Sequence, residues 1–407
     1  MPITKRYQTG LVVLFFFTWG SVFLARMSVL YLAPFIAPDL HLSHEEVGLL
    51  ASALALAWAA SGLIFGAVSD RIGRRPVLIP AVFLFSLLSW LSGVARSFGE
   101  LLIIRTLLGI AEGPTFPTMT SMIEASSEPK NRGRNIGIMV SAGALVGLAL
   151  APILTTQVAS RFGWRTAFFV TGIPGMILGI LIWRFVKEPG EQEAAGLHHA
   201  KPLLSEYGSL LRYRNMLLCC LGAVGFMTWL FVMHVFAPLY ITEVSKQSAT
   251  MAGFIIGAGG LGAFLWGWII PWISDHWGRK PTLILAAMVS ATAPLTYQVP
   301  FLIAHPWLMA GAGFLVNGGQ GIAPLVLVLV PTESVPVKFA ATAIGLATLV
   351  GEVVGGAMAP AVAGAAANRY GLAAPLWIAS AGAILVLLTA LFMTETAPSQ
   401  MGGRRIS

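Results

Sequence analysis

The chain has 407 residues, of which 57% are hydrophobic and 10% charged, with a formal net charge of +8. Soluble domains carry roughly 25% charged residues. A large core does not explain the deficit at this length, so a soluble globular protein is excluded. The positive balance does not indicate nucleic acid either, because the basic residues sit in short loops between apolar runs, where they set membrane orientation.

Apolar runs of the length that spans a membrane recur along the chain. Bounded by charge and turn residues, twelve spans follow in order: 11–36, 46–67, 76–95, 100–125, 134–158, 166–186, 213–241, 249–272, 281–302, 307–330, 339–365 and 375–394. The first follows Lys5-Arg6 as a signal core would, but it runs to about Ile36 without a small-residue cleavage site, so it reads as an uncleaved helix. The longest polar segment, 187–212, divides the spans six and six. The expected domains are therefore an N-terminal bundle 1–186, a cytoplasmic linker 187–212, and a C-terminal bundle 213–407 with a short cytoplasmic tail. Counted by side, 18 Lys and Arg fall with the termini and 5 opposite them, which places both termini and the linker in the cytoplasm. Cys219 and Cys220 are adjacent in an apolar run, a poor geometry for a disulfide and the wrong spacing for a metal site. They read as small hydrophobes, and no metal or cofactor is expected.

The chain also repeats itself. Asp70-Arg-Ile-Gly-Arg-Arg-Pro76 after span 2 returns as Asp275-His-Trp-Gly-Arg-Lys-Pro281 after span 8, 205 residues on. Ala33-Pro34 matches Ala237-Pro238 at an offset of 204, Gly147 and Pro152 match Gly355 and Pro360 at 208, and Glu124 matches Glu333 at 209. Matches at nearly one offset, in corresponding spans, imply two six-helix halves of one design, which is a transporter architecture.

The run Gly66 to Pro76 resembles the loop signature of the major facilitator superfamily between helices 2 and 3, and the copy at Asp275 sits where that superfamily places its second. The resemblance covers essentially the whole chain. It implies an all-α membrane protein of twelve transmembrane helices in two pseudo-symmetric six-helix bundles. The second copy departs from the signature at Pro271 and His276. Such a loop needs glycine for its turn, and its Asp and Arg side chains can bind helix ends and acidic groups. The resemblance implies a conformational latch on the inner surface from Asp70, Arg71, Arg74, Asp275 and Arg279. Topology-setting charge alone is the alternative.

Few charges lie inside spans. In Arg105-Thr-Leu-Leu-Gly-Ile-Ala-Glu112-Gly-Pro-Thr-Phe-Pro117 the arginine and glutamate are about 10 Å apart along a helix and nearly on one face. Glu112 in span 4, Glu352 in span 11 and Arg26 in span 1 all fall near the bilayer midplane, whereas Arg105 lies nearer the outer surface. Charges there are costly and mark pathways or proton relays. Span 4 resembles helix 4 of the anion:cation symporters, which include bacterial sugar-acid and hexuronate transporters and the animal sialic acid and vesicular glutamate transporters. Ala25-Arg26 is similar to the position where many members carry Asp-Arg. The resemblance implies that Arg26 binds an organic anion and Glu112 couples a proton. Ala25 removes one proton site, and Glu352 is the replacement candidate. Arg105 is either part of the coupling or a structural partner of Glu112 or of backbone carbonyls.

The chemistry is coherent by itself. Burial disfavours a charged carboxyl and a nearby arginine favours it. A substrate carboxylate on Arg26 competes for that arginine, so Glu112 takes a proton, and anion and proton binding help one another. Asn317 and Gln320 of span 10 and Tyr31 of span 1 are the polar candidates for substrate contact. The expectation is proton-coupled uptake of a small organic carboxylate by alternating access. The protein would act as a monomer among the lipids of a bacterial inner (plasma) membrane. The alternatives are facilitated diffusion or anion exchange, made plausible by Ala25, and a receptor on a transporter fold. No Walker loop, paired-His metal motif or nucleophile constellation points to ATP use or to an enzyme.

Overall fold

The computed structural model describes residues 5–188, 210–336 and 339–400. Most of the linker expected at 187–212 lies outside the described residues. The described chain divides into two compact units, one of residues 1–41 and 53–200, the other of residues 42–52 and 201–407.

The apolar runs fold as helices that end at glycine, proline or charge. The first half holds α1 (Lys5–Tyr31), α2 (Ala33–Leu40), α3 (His44–Ile72), α4 (Arg74–Ser92), α5 (Phe98–Glu112), α6 (Thr115–Ser126), α7 (Arg132–Ala142), α8 (Ala151–Phe162) and α9 (Trp164–Phe185). The second holds α10 (Arg214–Leu239), α11 (Ala249–Trp277), α12 (Arg279–Thr296), α13 (Pro300–Ala304), α14 (Pro306–Val316), α15 (Val330–Glu333), α16 (Ala340–Val350), α17 (Ala359–Tyr370) and α18 (Ala373–Phe392). Ten helical stretches among the described residues are long and apolar enough to cross a membrane. Two spans complete the twelve. Span 4 is split between α5 and α6 at Gly113-Pro114, and span 9 is α12.

Spans 1 and 9 depart from their expected limits. Span 1 starts earlier, at Lys5, and breaks at Leu32 before Ala33-Pro34. Span 9 ends at Thr296 rather than at 302, because the residue before Pro300 is pushed away from helical geometry.

The repeat extends to backbone detail that no residue match announced. The four glycines with positive φ form two pairs, Gly73 and Gly278 (101° and 106°) and Gly163 and Gly371 (82° each). Each closes a short turn between consecutive helices. Spans 5 and 11 both widen into eight-residue π-helical segments, Gly143–Leu150 and Gly351–Met358. The cause lies just beyond each segment, where Pro152 and Pro360 remove a donor and crowd the carbonyl of the preceding turn.

Each half is tied together by close backbone approach, as expected where lipid supplies no hydrophobic drive between helices. A Cβ on Gly109 would lie 2.4 Å from the Leu54 carbonyl oxygen, and one on Gly355 would lie 2.4 Å from that of Val224. Large apolar side chains such as Ile64, Ile103, Trp183 and Trp272 remain exposed, as a lipid-facing surface requires. Cys219 and Cys220 are buried free thiols.

Candidate anion and proton site

Span 4 carries the centre of the first unit's candidate site. The Ser97 hydroxyl caps α5 by accepting from the Glu100 amide. The helix stops at Glu112 because Pro114 cannot continue its hydrogen bonding, and the Thr115 hydroxyl closes the gap by donating to the Glu112 carbonyl at 2.5 Å. Gly109 and Gly113 press this region onto α3, where the Ser61 hydroxyl donates to the Ile110 carbonyl. Glu112 is fully buried there. Neither of its carboxyl oxygens has a hydrogen-bond partner among the described residues. Arg26 and Arg105 are the charges close enough to act on it.

Arg105 is equally buried; both of its Nη groups bond backbone, while its Nε has no partner among the described residues. It donates to the Ala25 carbonyl at 3.1 Å and to the Arg26 carbonyl at 2.5 Å. It therefore pins the segment of α1 that carries Arg26. The Arg26 guanidinium lies 5.0 Å from the centre of the Trp58 ring, within cation–π range. Trp58 was not among the residues expected from sequence. Its indole N–H is buried and unpartnered among the described residues, so it is a free donor beside Arg26. The available signal was a lone tryptophan in the small-residue run Ala57-Trp58-Ala59-Ala60. Tyr31, expected at the substrate, donates its hydroxyl to the Gly147 carbonyl at 3.1 Å and so links α1 to the π-helical segment of span 5.

In the second unit, Asn317 and Gln320 flank a break in span 10. Helix α14 ends at Val316, and a 3₁₀ turn occupies Gly318–Gly321. Three residues apart in such a turn, the two side chains share one side. The Asn317 Oδ1 and Gln320 Oε1 are buried acceptors without a partner among the described residues. Gly319 allows the turn to sit against Trp229, whose ring lies 2.3 Å from where a Cβ would be. The breaks at 113–114 and 317–321 fall in corresponding spans. Paired interruptions of this kind point to binding sites, because irregular backbone at membrane depth is tolerated only where it is buried or lines a cavity. Glu352 is buried in the π-helical segment of span 11, its carboxyl carbon 3.2 Å from where a Cβ on Gly356 would lie.

The two signature loops differ from each other. In the second, Arg279 contacts Asp275 Oδ1 at 2.5 Å and Glu333 Oε1 at 2.8 Å, and the Thr396 hydroxyl donates to Glu333 at 2.7 Å. Burial works against the Arg279 charge, but these hydrogen bonds outweigh it and hold the guanidinium above its ordinary pKa. In the first loop, Asp70 and Arg71 are exposed, and Asp70, Arg71 and Arg74 have no side-chain ion pair among the described residues. What both loops share is a glutamate from far along the chain. Glu188 accepts from the Arg74 and Arg75 amides at 2.7 Å each, and Glu395 accepts from the Arg279 and Lys280 amides at 2.7 and 3.1 Å. Each carboxylate caps the positive end of a helix, beside the positive-φ glycine that makes room for it. The two glutamates are 207 residues apart, an offset that would have found them.

Two repeated six-span halves with interrupted helices define a multi-pass membrane transporter rather than an enzyme. The chain belongs to the Major Facilitator Superfamily, whose pattern it matches over residues 14–360. It is 29% identical to a probable 4-methylmuconolactone transporter of Cupriavidus pinatubonensis, over 84% of this chain and 80% of that protein. It is 30% identical to the hexuronate transporter of Bacillus subtilis over 69% of each, and 26% identical to a D-galactonate transporter of Escherichia coli over 96% of each. Among solved structures it resembles a bacterial homologue of the human lysosomal transporter Spinster, with a TM-score of 0.74 at 18% identity over 96% of each chain. It also resembles the nucleoside transporter NupG, with a TM-score of 0.72 at 12% identity over 95% of this chain and 99% of that one. These two likenesses concern the fold alone.

Proposed function

We propose that the protein takes up a small organic anion together with protons by alternating access, across a plasma membrane with both termini cytoplasmic. Arg26 holds the substrate carboxylate, Trp58 adds an indole donor beside it, and Glu112 carries the proton. The observation that carries this reading is the Glu112 carboxyl, wholly buried and without a hydrogen bond among the described residues, within the field of two arginines. Arg105 is a positioning residue, since its Nη1 and Nη2 groups donate to the α1 carbonyls. Relatives named for muconolactone, hexuronate and galactonate transport support an organic acid as substrate.

The mechanism follows from competition for positive charge. With Arg26 unoccupied by substrate, its charge and that of Arg105 oppose the cost of burying a carboxylate at Glu112. A carboxylate on Arg26 neutralises part of that field, and the desolvated Glu112 then favours its protonated form. Each ligand improves the binding of the other, as linkage requires. Asn317 and Gln320 are the proposed acceptors for substrate hydroxyl groups, and Glu352 is a second proposed proton site. Asp70, Arg71, Arg74, Asp275 and Arg279 remain the proposed latch, with Glu188 and Glu395 as its helix caps.

Proteoliposome transport with Glu112→Gln tests the assignment. Uphill uptake driven by a proton gradient is expected to disappear, while exchange of internal for external anion survives. Concentrative uptake by the variant would sink the role of Glu112. Anion exchange without obligatory protons is the second reading, favoured by Ala25, and exchange in wild type that ignores a pH gradient would select it.

A further inference from the structure

We propose that a cleft in the first unit, between the start of α1 and the 128–138 segment, binds an anionic phosphate group, and that its shape assigns this group to a phospholipid. The cleft encloses about 420 Å³. Its charged lining is Lys5, Lys130 and Arg134 against a single acid, Glu128. That acid is already engaged, 3.4 Å from the Lys130 ammonium and accepting from the Asn131 amide at 3.2 Å. Lys5 and Arg134 thus face the cleft with no acidic partner among the described residues. Helix α7 begins beside them without a side-chain cap and without an acid in its first turn, which adds to the positive field.

The apolar wall separates a lipid from a free ion. Along α1 the lining runs Lys5, Gln8 and Thr9, Val12 and Val13, one helical face passing from charge through polar groups to hydrocarbon. Along α7 it runs Arg134, Asn135, Ile138 in the same sense. Two adjacent helices graded from cation to hydrocarbon match a phospholipid, with its phosphate against Lys5 and Arg134 and its acyl region on Val13 and Ile138. Basic pockets between spanning helices take anionic head groups in this way. None of these residues belongs to the Arg26–Glu112 site.

The test uses full-length protein in phosphatidylcholine nanodiscs with and without phosphatidylglycerol, the bound anionic lipid being counted by native mass spectrometry. Wild type is expected to retain phosphatidylglycerol, with Lys5→Gln and Arg134→Gln each weakening retention about fivefold and Arg165→Gln, outside the cleft, leaving it unchanged. A second arm adds inorganic phosphate to the phosphatidylcholine discs and follows the melting temperature. A phosphate-induced rise that Lys5→Gln and Arg134→Gln abolish, without lipid retention, keeps the phosphate site and replaces lipid by the free ion. Equal lipid retention by wild type and both single variants, with no phosphate effect, overturns the proposal. The single variants each keep one cation of the pair, so the result does not depend on a doubly substituted chain folding.

Discussion

At the scale of the residue, the first unit solves the problem of keeping charge in an apolar span by dividing labour between two arginines. Arg105 gives both Nη groups to the carbonyls of Ala25 and Arg26, so substitution there should disturb the geometry of α1. Arg26 lies over Trp58 instead. Trp58→Phe keeps an aromatic face under the cation but removes the N–H. We expect that variant to weaken substrate binding by about 1 kcal/mol, near fivefold in Kd, and Trp58→Ala to cost more. Equal affinity of Trp58→Phe and wild type in a thermal-shift titration would remove the indole donor from the site. Near the end of α2, the Arg165 guanidinium at 2.8 Å and the Trp164 indole at 3.0 Å hold the Asp39 carboxyl below its ordinary pKa. A depressed acid contributes stability above its unfolded pKa and loses it as pH falls through the lowered value. The melting temperatures of wild type and Asp39→Asn should therefore differ near neutral pH and converge below about pH 4. A gap that persists at acid pH would contradict the pairing.

At the scale of the element, the broken span 4 depends on its contact with α3. A Cβ on Gly113 would lie 2.7 Å from the Gly62 amide nitrogen and from the Ser61 Cβ, with no flexible side-chain end to yield. Gly113→Leu should cost about 1–3 kcal/mol by overpacking and displace Glu112 with it. Gly137→Leu, where a Cβ meets nothing within 4 Å, is the matched control. Melting curves that fail to separate the two variants would show that the α3 contact does not hold span 4 in place. The signature loops teach a related point. The second copy, which fits the superfamily pattern less well, holds the denser ion-pair cluster, because Arg279 is buried and needs partners whereas Asp70 and Arg71 are solvated.

At the scale of the whole molecule, the proposed orientation rests on the distribution of Lys and Arg. The two native cysteines are buried, so an impermeant maleimide reports introduced thiols. In right-side-out vesicles Ser160→Cys should react directly, and Ser399→Cys only after the membrane is opened. The reverse order would invert the topology.

Much of the architecture was legible because membrane helices are written in long apolar runs and the repeat in a near-constant offset. Composition, the order of twelve spans and the presence of Arg26, Arg105, Glu112 and Glu352 inside them follow from hydropathy alone. Partners do not, since a guanidinium in a span reaches whatever the packing brings to it. Only the tertiary structure gave Arg105 to the α1 carbonyls, Tyr31 to Gly147 and Trp58 to Arg26, and brought Glu188 and Glu395 back onto helix ends far along the chain. Hydropathy is a property of one segment read along the chain. A hydrogen bond between spans depends on which helix faces meet, and the close approach of glycines decides that.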